Sequence, residues 1–230
     1  MSAKQVQEAE KSEALRQVET FWQRNGKTLS YVLIGLVVVI GGYIAYQNWV
    51  VKPKEEKASE LMGAAQQYFA VDSFKTALNG DGQRKGFLYV INNYGGTKSG
   101  NLAKYYAGLS YLKTGDFNNA VKYLKDFSTD AKQVQLMAYG ALGDAYGELK
   151  KNDDAIDAYK KAATTFEKDD FNSSEYLFRA ALLSEVSGKT KEAVELYKEL
   201  KQKYPRTEKG FQADKYLYRL SVEPNEFSTK

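Results

Sequence analysis

One stretch interrupts the alternation of polar and apolar positions that governs the rest of this chain. From Thr28 to Val51 it reads TLSYVLIGLVVVIGGYIAYQNWVV, with no charged side chain between Lys27 and Lys52. About 20 apolar residues cross the hydrocarbon core of a bilayer as a helix, so this run predicts one transmembrane helix over 28–51. Trp22, Tyr31, Tyr46 and Trp49 fall towards its two ends, where amphipathic rings favour the headgroup layer. A cleaved signal would have a shorter apolar core, a shorter leader and a small-residue cleavage site. Here 27 residues of mixed charge come first, and Gln47-Asn48-Trp49 makes a poor cleavage site. The segment therefore reads as a retained anchor.

Ahead of it, Leu15, Val18 and Trp22 recur at i, i+3 and i+7 with Phe21 beside them. That single apolar stripe predicts an amphipathic lead-in over 1–27, lying on the bilayer surface. Arg16, Arg24 and Lys27 on one side are balanced by Lys52, Lys54 and Lys57 on the other. The positive-inside rule gives a tie, and charge alone does not orient the span. Gly41 and Ala45 form a small-xxx-small pair that would let another helix approach closely.

After Pro53 the apolar period is helical almost throughout, and the whole chain holds only three prolines. Small residues recur with a fixed offset. Gly108, Gly143 and Ala181 each precede by twelve residues a second small residue, Ala120, Ala155 and Ala193. Successive units are 35 and then 38 residues apart, the excess falling in KDDFNSS. Tyr111 and Tyr146 stand three residues after the first small position, and Ser184 breaks that pattern. Tyr123, Tyr159 and Tyr197 occupy the second helix of each unit, Tyr123 one position early.

Packing explains the spacing. Two antiparallel helices cross closely where one presents a hydrogen or methyl and the other fills the gap with a large side chain. The turn between the helices wants a left-handed residue, supplied by Gly115 in KTGDF and by Gly188 in VSGKT. The middle unit has KKNDDA, where Asn152 is expected to take that conformation. The repeat is a steric template, and chemistry outside it is free to vary.

These residues resemble the tetratricopeptide repeat, a helix–turn–helix unit of about 34 residues. The likeness is strongest for the units from Asn101 and Leu136. It extends to the one from Ser174, which ends in YPRT. KASELMGAAQQYFAVDSF and RKGFLYVINNY look like a divergent earlier unit joined by ALNGDGQ, and Glu208–Leu220 reads as a capping helix. The expected fold class is all-α: a tetratricopeptide-repeat α-solenoid over 54–222, preceded by a single transmembrane helix and followed by a tail over 223–230.

A short lead-in, one span and then ALNGDGQRKGFLYVINNYGGTKSGNLAKYYAGLSYLKTGDF together resemble the YfgM-like family of membrane-anchored bacterial proteins, in a version like that of the Bacteroidota. The resemblance implies an ancillary subunit of the SecYEG translocon in the bacterial inner membrane. It also implies a periplasmic repeat domain beside a membrane-anchored periplasmic chaperone. That family often has a Pro early in the third unit, where this chain has FNSSEYLF. The family is defined by architecture, so no catalytic residue carries over from it.

Composition narrows the functions further. Five of the 33 basic and four of the 29 acidic residues precede Val51, leaving 28 and 25, a net +3 on the remainder. A nucleic-acid surface is more lopsided, so nucleic acid is not an expected partner. Cys and His are both absent, which removes thiol nucleophiles, imidazole bases and zinc sites built on N or S ligands. Asp153-Asp154 and Asp169-Asp170 fall at turns or helix starts, where carboxylates favour the helix dipole. No cofactor or metal, and no enzymatic role, is expected.

What remains is protein binding. First helices of such repeats line a concave face, and the groove candidates are Leu102, Tyr105, Leu109, Leu112, Met137 and Phe178. They would hold an apolar segment of a partner, unless the neighbouring helices and the C-terminal cap cover them. A clamp for an acidic chaperone tail needs several cations on successive first helices, and Arg179 is alone there. The function expected is a membrane-tethered scaffold that gathers envelope proteins. A cytoplasmic-facing anchored receptor, or a structural subunit of another envelope complex, is the alternative.

Overall fold

A computed structural model of the protein describes residues 3–226, with side chains described at 13 and from 15 to 221. Every regular element among the described residues is a helix. The chain divides after Lys54 into two compact units.

The first unit is α1 (Ala3–Tyr46), followed by a π-helical turn (Gln47–Val51) in which the amide of Lys52 reaches back to the carbonyl of Gln47. Lys52 Nζ donates to Asn48 Oδ1 at 2.6 Å across the same turn. Lead-in and apolar run form one helix, with no break at Lys27–Thr28. From Tyr31 to Ile44 the large apolar side chains are all more than half exposed. Nothing within the unit covers them, and α1 is long and apolar enough to cross a membrane.

The repeats fold as α2 (Lys52–Ala70), α3 (Phe74–Asn79), α4 (Phe87–Tyr94), α5 (Lys98–Thr114), α6 (Phe117–Lys125), α7 (Lys132–Glu148), α8 (Asn152–Thr165), α9 (Asp170–Val186), α10 (Thr190–Lys203) and α11 (Glu208–Glu226). Helices α5–α6, α7–α8 and α9–α10 are the three pairs. In the divergent earlier unit, α3 and α4 together stand in for a second helix. The cap α11 runs on to Glu226, past the Leu220 end expected from sequence. The expected tail of 223–230 therefore starts as helix, and residues 227–230 lie outside the described part.

Short-range chemistry sets the helix ends. Thr97 caps α5 by accepting from the amide of Gly100 at 2.9 Å, Asp116 caps α6 through Asn119, and Asp169 caps α9 through Asn172. The three turns inside the pairs share one hydrogen-bond pattern. Amides of Asp116, Lys151 and Lys189 reach back to carbonyls of Tyr111, Tyr146 and Ser184 at 2.9, 3.0 and 2.9 Å. The residue before each is left-handed: Gly115 at φ 81°, Gly188 at φ 76° and, in the middle turn, Lys150 at φ 59°. This corrects the expectation for Asn152. Register within the turn, not residue preference, selects the left-handed position, and Asn152 instead begins α8, where its Nδ2 donates to Ser187 Oγ at 3.0 Å.

The small residues sit where the helices close. A Cβ added at Gly108 would fall 2.5 Å from Leu124 Cγ, and one at Gly143 would fall 2.5 Å from the ring of Tyr159. Ala120, Ala155, Ala181 and Ala193 are wholly buried. The large residue in the first pair is Leu124, and Tyr123 beside it stacks on Tyr111 with centroids 5.5 Å apart. The buried side chains form two clusters. One joins α2, α3, α4 and α5 around Met62, Phe87 and Val90. The other runs from α6 to α11 around Leu136, Ile156, Tyr197 and Leu200.

Candidate protein-binding groove

The first helices α5, α7, α9 and α11 touch one another in sequence, as a stack of helix pairs requires. Along the α5–α6 turn, α7, α8 and α9 opens a groove of about 580 Å³. Its walls are Leu112, Lys113, Gly115 and Phe117 at the α5–α6 turn, Asp144, Gly147 and Glu148 on α7, Tyr159 on α8 and Arg179 on α9. Gly147 leaves the floor open, because a Cβ there would meet nothing within 4 Å.

Of the six groove candidates, only Leu112 lines this opening. Leu109 packs half-buried on the larger cluster, and Leu102 on the smaller one. Tyr105 lies against Phe127, centroids 5.3 Å apart, and burial pushes its phenol up to about 12. Met137 is 39% exposed elsewhere on α7, with the Tyr176 hydroxyl 3.9 Å from its sulfur. Phe178 is a correction: it is not a groove residue. Tyr197 and Tyr216 enclose it at 6.1 and 5.2 Å, and Lys209 Nζ stands 4.7 Å from its centroid, so the cap covers it. Gly140, another inner position of α7, is likewise closed, since the ring of Tyr176 fills the space a side chain would need.

The floor carries a linked set of polar groups. Asp144 Oδ1 accepts from the Tyr159 hydroxyl at 2.7 Å and from Arg179 Nη1 at 2.9 Å. Arg179 Nε donates to Glu175 Oε1 at 2.8 Å, and the guanidinium lies 5.5 Å from the ring of Tyr176, which stacks on Tyr159. Burial opposes the charge on Arg179, but its bonds to Glu175 and the Asp144 carboxylate prevail and hold it protonated beyond its ordinary range. Burial first, and then the Asp144 carboxylate, push the Tyr159 phenol far above its ordinary value. Arg179 is thus already neutralised, which leaves Lys113 and Glu148 as the other charged groups lining the groove.

The same assembly recurs one unit on. Glu185 Oε2 accepts from the Tyr197 hydroxyl at 2.9 Å while its other oxygen takes Arg219. Arg219 lies 5.0 Å from the ring of Tyr216, which stacks on Tyr197 with centroids 5.0 Å apart. Each joint combines a second-helix tyrosine, an acid of its own pair, and a Tyr-x-x-Arg of the next first helix. The signal lies in the sequence as Tyr176-Leu177-Phe178-Arg179 and Tyr216-Leu217-Tyr218-Arg219, forty residues apart. Anchoring on small residues alone passes over it.

Stacked helix pairs, stitched at their joints and leaving an open inner groove, define a helical-repeat binding scaffold. The tetratricopeptide repeat-like domain profile matches residues 19–142, more than half of the chain, and the chain belongs to that family. Two further tetratricopeptide repeat profiles match residues 138–169 and 175–207. A search of curated proteins found no match. Repeats of this type serve protein–protein interaction, and among the described residues no acidic cluster could hold a metal.

Proposed function

We propose that this protein is a membrane-tethered scaffold of the bacterial inner membrane and an ancillary subunit of the Sec translocon. Its repeat domain stands in the periplasm and receives exported segments or an anchored periplasmic chaperone. The observation that carries the scaffold reading is the open floor at Gly147 in a chain that also holds one exposed apolar helix. Tethering raises the local concentration of partners, so a shallow groove with closed ion pairs suffices for exchangeable contacts. Leu112 and Phe117 offer apolar wall to a passing side chain. The translocon reading rests on the likeness of the lead-in, span and first repeats to the YfgM-like family.

Crosslinking in intact membranes tests both levels. The full-length chain is expected to capture translocon or chaperone subunits. Gly147→Gln, whose side chain enters empty space, is expected to reduce capture about tenfold while leaving the fold intact and Tm no lower. Capture unaffected by Gly147→Gln removes the groove. Recovery of the chain free of translocon subunits, with the channel preserved, removes the Sec assignment. Protease added to spheroplasts should digest the repeats, whereas protection would support the cytoplasmic-facing receptor.

A further inference from the structure

The last helix exposes what the same position on its predecessor buries. Forty residues separate Phe178 from Tyr218 in the repeated Tyr-Leu-x-Arg segments. Phe178 is 8% exposed because α11 lies over it, whereas Tyr218 is 70% exposed because no described helix follows α11. Phe211 is 83% exposed in the first turn of α11. Its counterpart Phe171 is exposed as well, so a bare aromatic in that turn belongs to the repeat. The bare Tyr218 belongs to the end of the array.

Between the two rings stand Asp214 and Lys215, both exposed. Phe211, Asp214, Lys215 and Tyr218 run at i, i+3, i+4 and i+7, which places them on one face. Asp214 meets Lys201 Nζ at 2.7 Å but stays 67% exposed, and Lys215 has no ion pair among the described residues. The order aromatic, acid, base, aromatic is complementary to itself when reversed. An antiparallel copy, related by a two-fold axis midway between positions 214 and 215, sets Phe211 against the other copy's Tyr218. The same operation sets Lys215 against the other copy's Asp214.

We propose that this face of α11 is an isologous interface, and that its occupant is α11 of a second copy of this chain. Self-complementarity of both the rings and the charges favours a second copy over an unrelated helix. Confinement to one membrane favours so small a contact, because the copies share a plane. The inference stands apart from the groove and from the translocon assignment.

Sedimentation of the full-length chain in detergent, in a Lys201→Gln background that frees Asp214, tests it. The expected species is a dimer. Lys215→Asp should raise the dimer Kd at least about tenfold, since each change is felt twice across the axis. Adding Asp214→Lys to Lys215→Asp should restore it, and Phe211→Ser with Tyr218→Ser should leave monomer. A monomer at every concentration overturns the proposal. A dimer indifferent to these changes moves association to the span and also overturns it, and failure of the charge swap to restore pairing refutes the antiparallel register.

Discussion

The front of the repeat domain and its rear are both built of paired helices, yet they are held together by different means. In α2–α5 the joint is a knot of rings: Phe69 meets Phe74, Phe87 and Tyr106 at 5.3, 6.3 and 5.1 Å. Its polar support is the capping of backbone amides by carboxylates. The Glu55 carboxylate accepts from the amides of Lys98 and Ser99 at 2.7 and 2.9 Å, holding α2 to the start of α5, and Asp81 Oδ1 gathers the amides of Gln83 and Arg84. From α7 to α11 the joints are the tyrosine–acid–arginine assemblies at Asp144 and Glu185. On α7, the positions corresponding to Tyr176 and Arg179 are Ala138 and Ala141, so this stitching begins only beyond α7. Rings tolerate approximate fits, whereas a shared carboxylate fixes angle as well as distance. The rear therefore has the more strictly set repeat-to-repeat geometry, next to the groove that depends on it.

The largest expected effects test whether the two regions are separable. Phe87→Ala and Tyr197→Ala each remove a ring with no exposure and should cost about 3–5 kcal/mol. Because each pair touches only its neighbours, hydrogen exchange should rise in α2–α5 for the first and in α9–α11 for the second. Deprotection spread evenly over all helices in either variant would dissolve the distinction.

Glycines sharpen it next. Gly140→Ala and Gly143→Ala drive a methyl into Tyr176 and Tyr159 and should destabilise by about 1–3 kcal/mol in denaturant unfolding. Gly63→Ala and Gly147→Ala meet nothing within 4 Å and should stabilise by up to about 1 kcal/mol. Loss of stability in the second set would mean the groove and the space beside Gly63 on α2 are not open.

Acid and alkali should separate the regions by sign. Burial of Glu55 would raise its pKa, but the Ser99 hydroxyl and the Ser99 and Lys98 amides outweigh it and hold the carboxyl low. Its contribution is present above the ordinary glutamate range and is lost as pH falls through the depressed value. Glu55→Gln should cost about 1–2 kcal/mol at neutral pH and flatten the acid limb. Tyr197 is raised, by burial first and then by its bond to Glu185. Its contribution is complete below about pH 10 and disappears as pH rises towards the raised value. Tyr197→Phe should cost about 1–2 kcal/mol and flatten the alkaline limb. An acid limb that follows Tyr197, or an alkaline limb that follows Glu55, would reverse the comparison.

The smallest expected change is a gain. Lys150 holds a left-handed backbone that its two counterparts leave to glycine. Lys150→Gly should raise stability by about 0.5–1 kcal/mol, with the extra freedom of glycine in the unfolded chain offsetting part of the relief. No gain would mean the middle turn relaxes around Lys150.

The span and the repeat were legible because each is written in a single local variable. An uncharged run of bilayer length needs no neighbour to declare itself, and small residues at a fixed offset declare where two helices of one pair must cross. Gly108, Gly143, Ala155 and Ala193 could therefore be picked out by spacing alone. The fate of the inner face was not local. Whether Phe178 lines a groove depends on Tyr216, and whether Gly140 is a gap depends on Tyr176, both contributed by the following unit. Likewise Asp144 and Arg179 are ordinary surface charges until stacking brings them to 2.9 Å. Periodicity along a chain determines which side of each helix is buried against its own partner. Only the stacking of one pair on the next decides which inner side chains are consumed by the joint and which remain for a ligand.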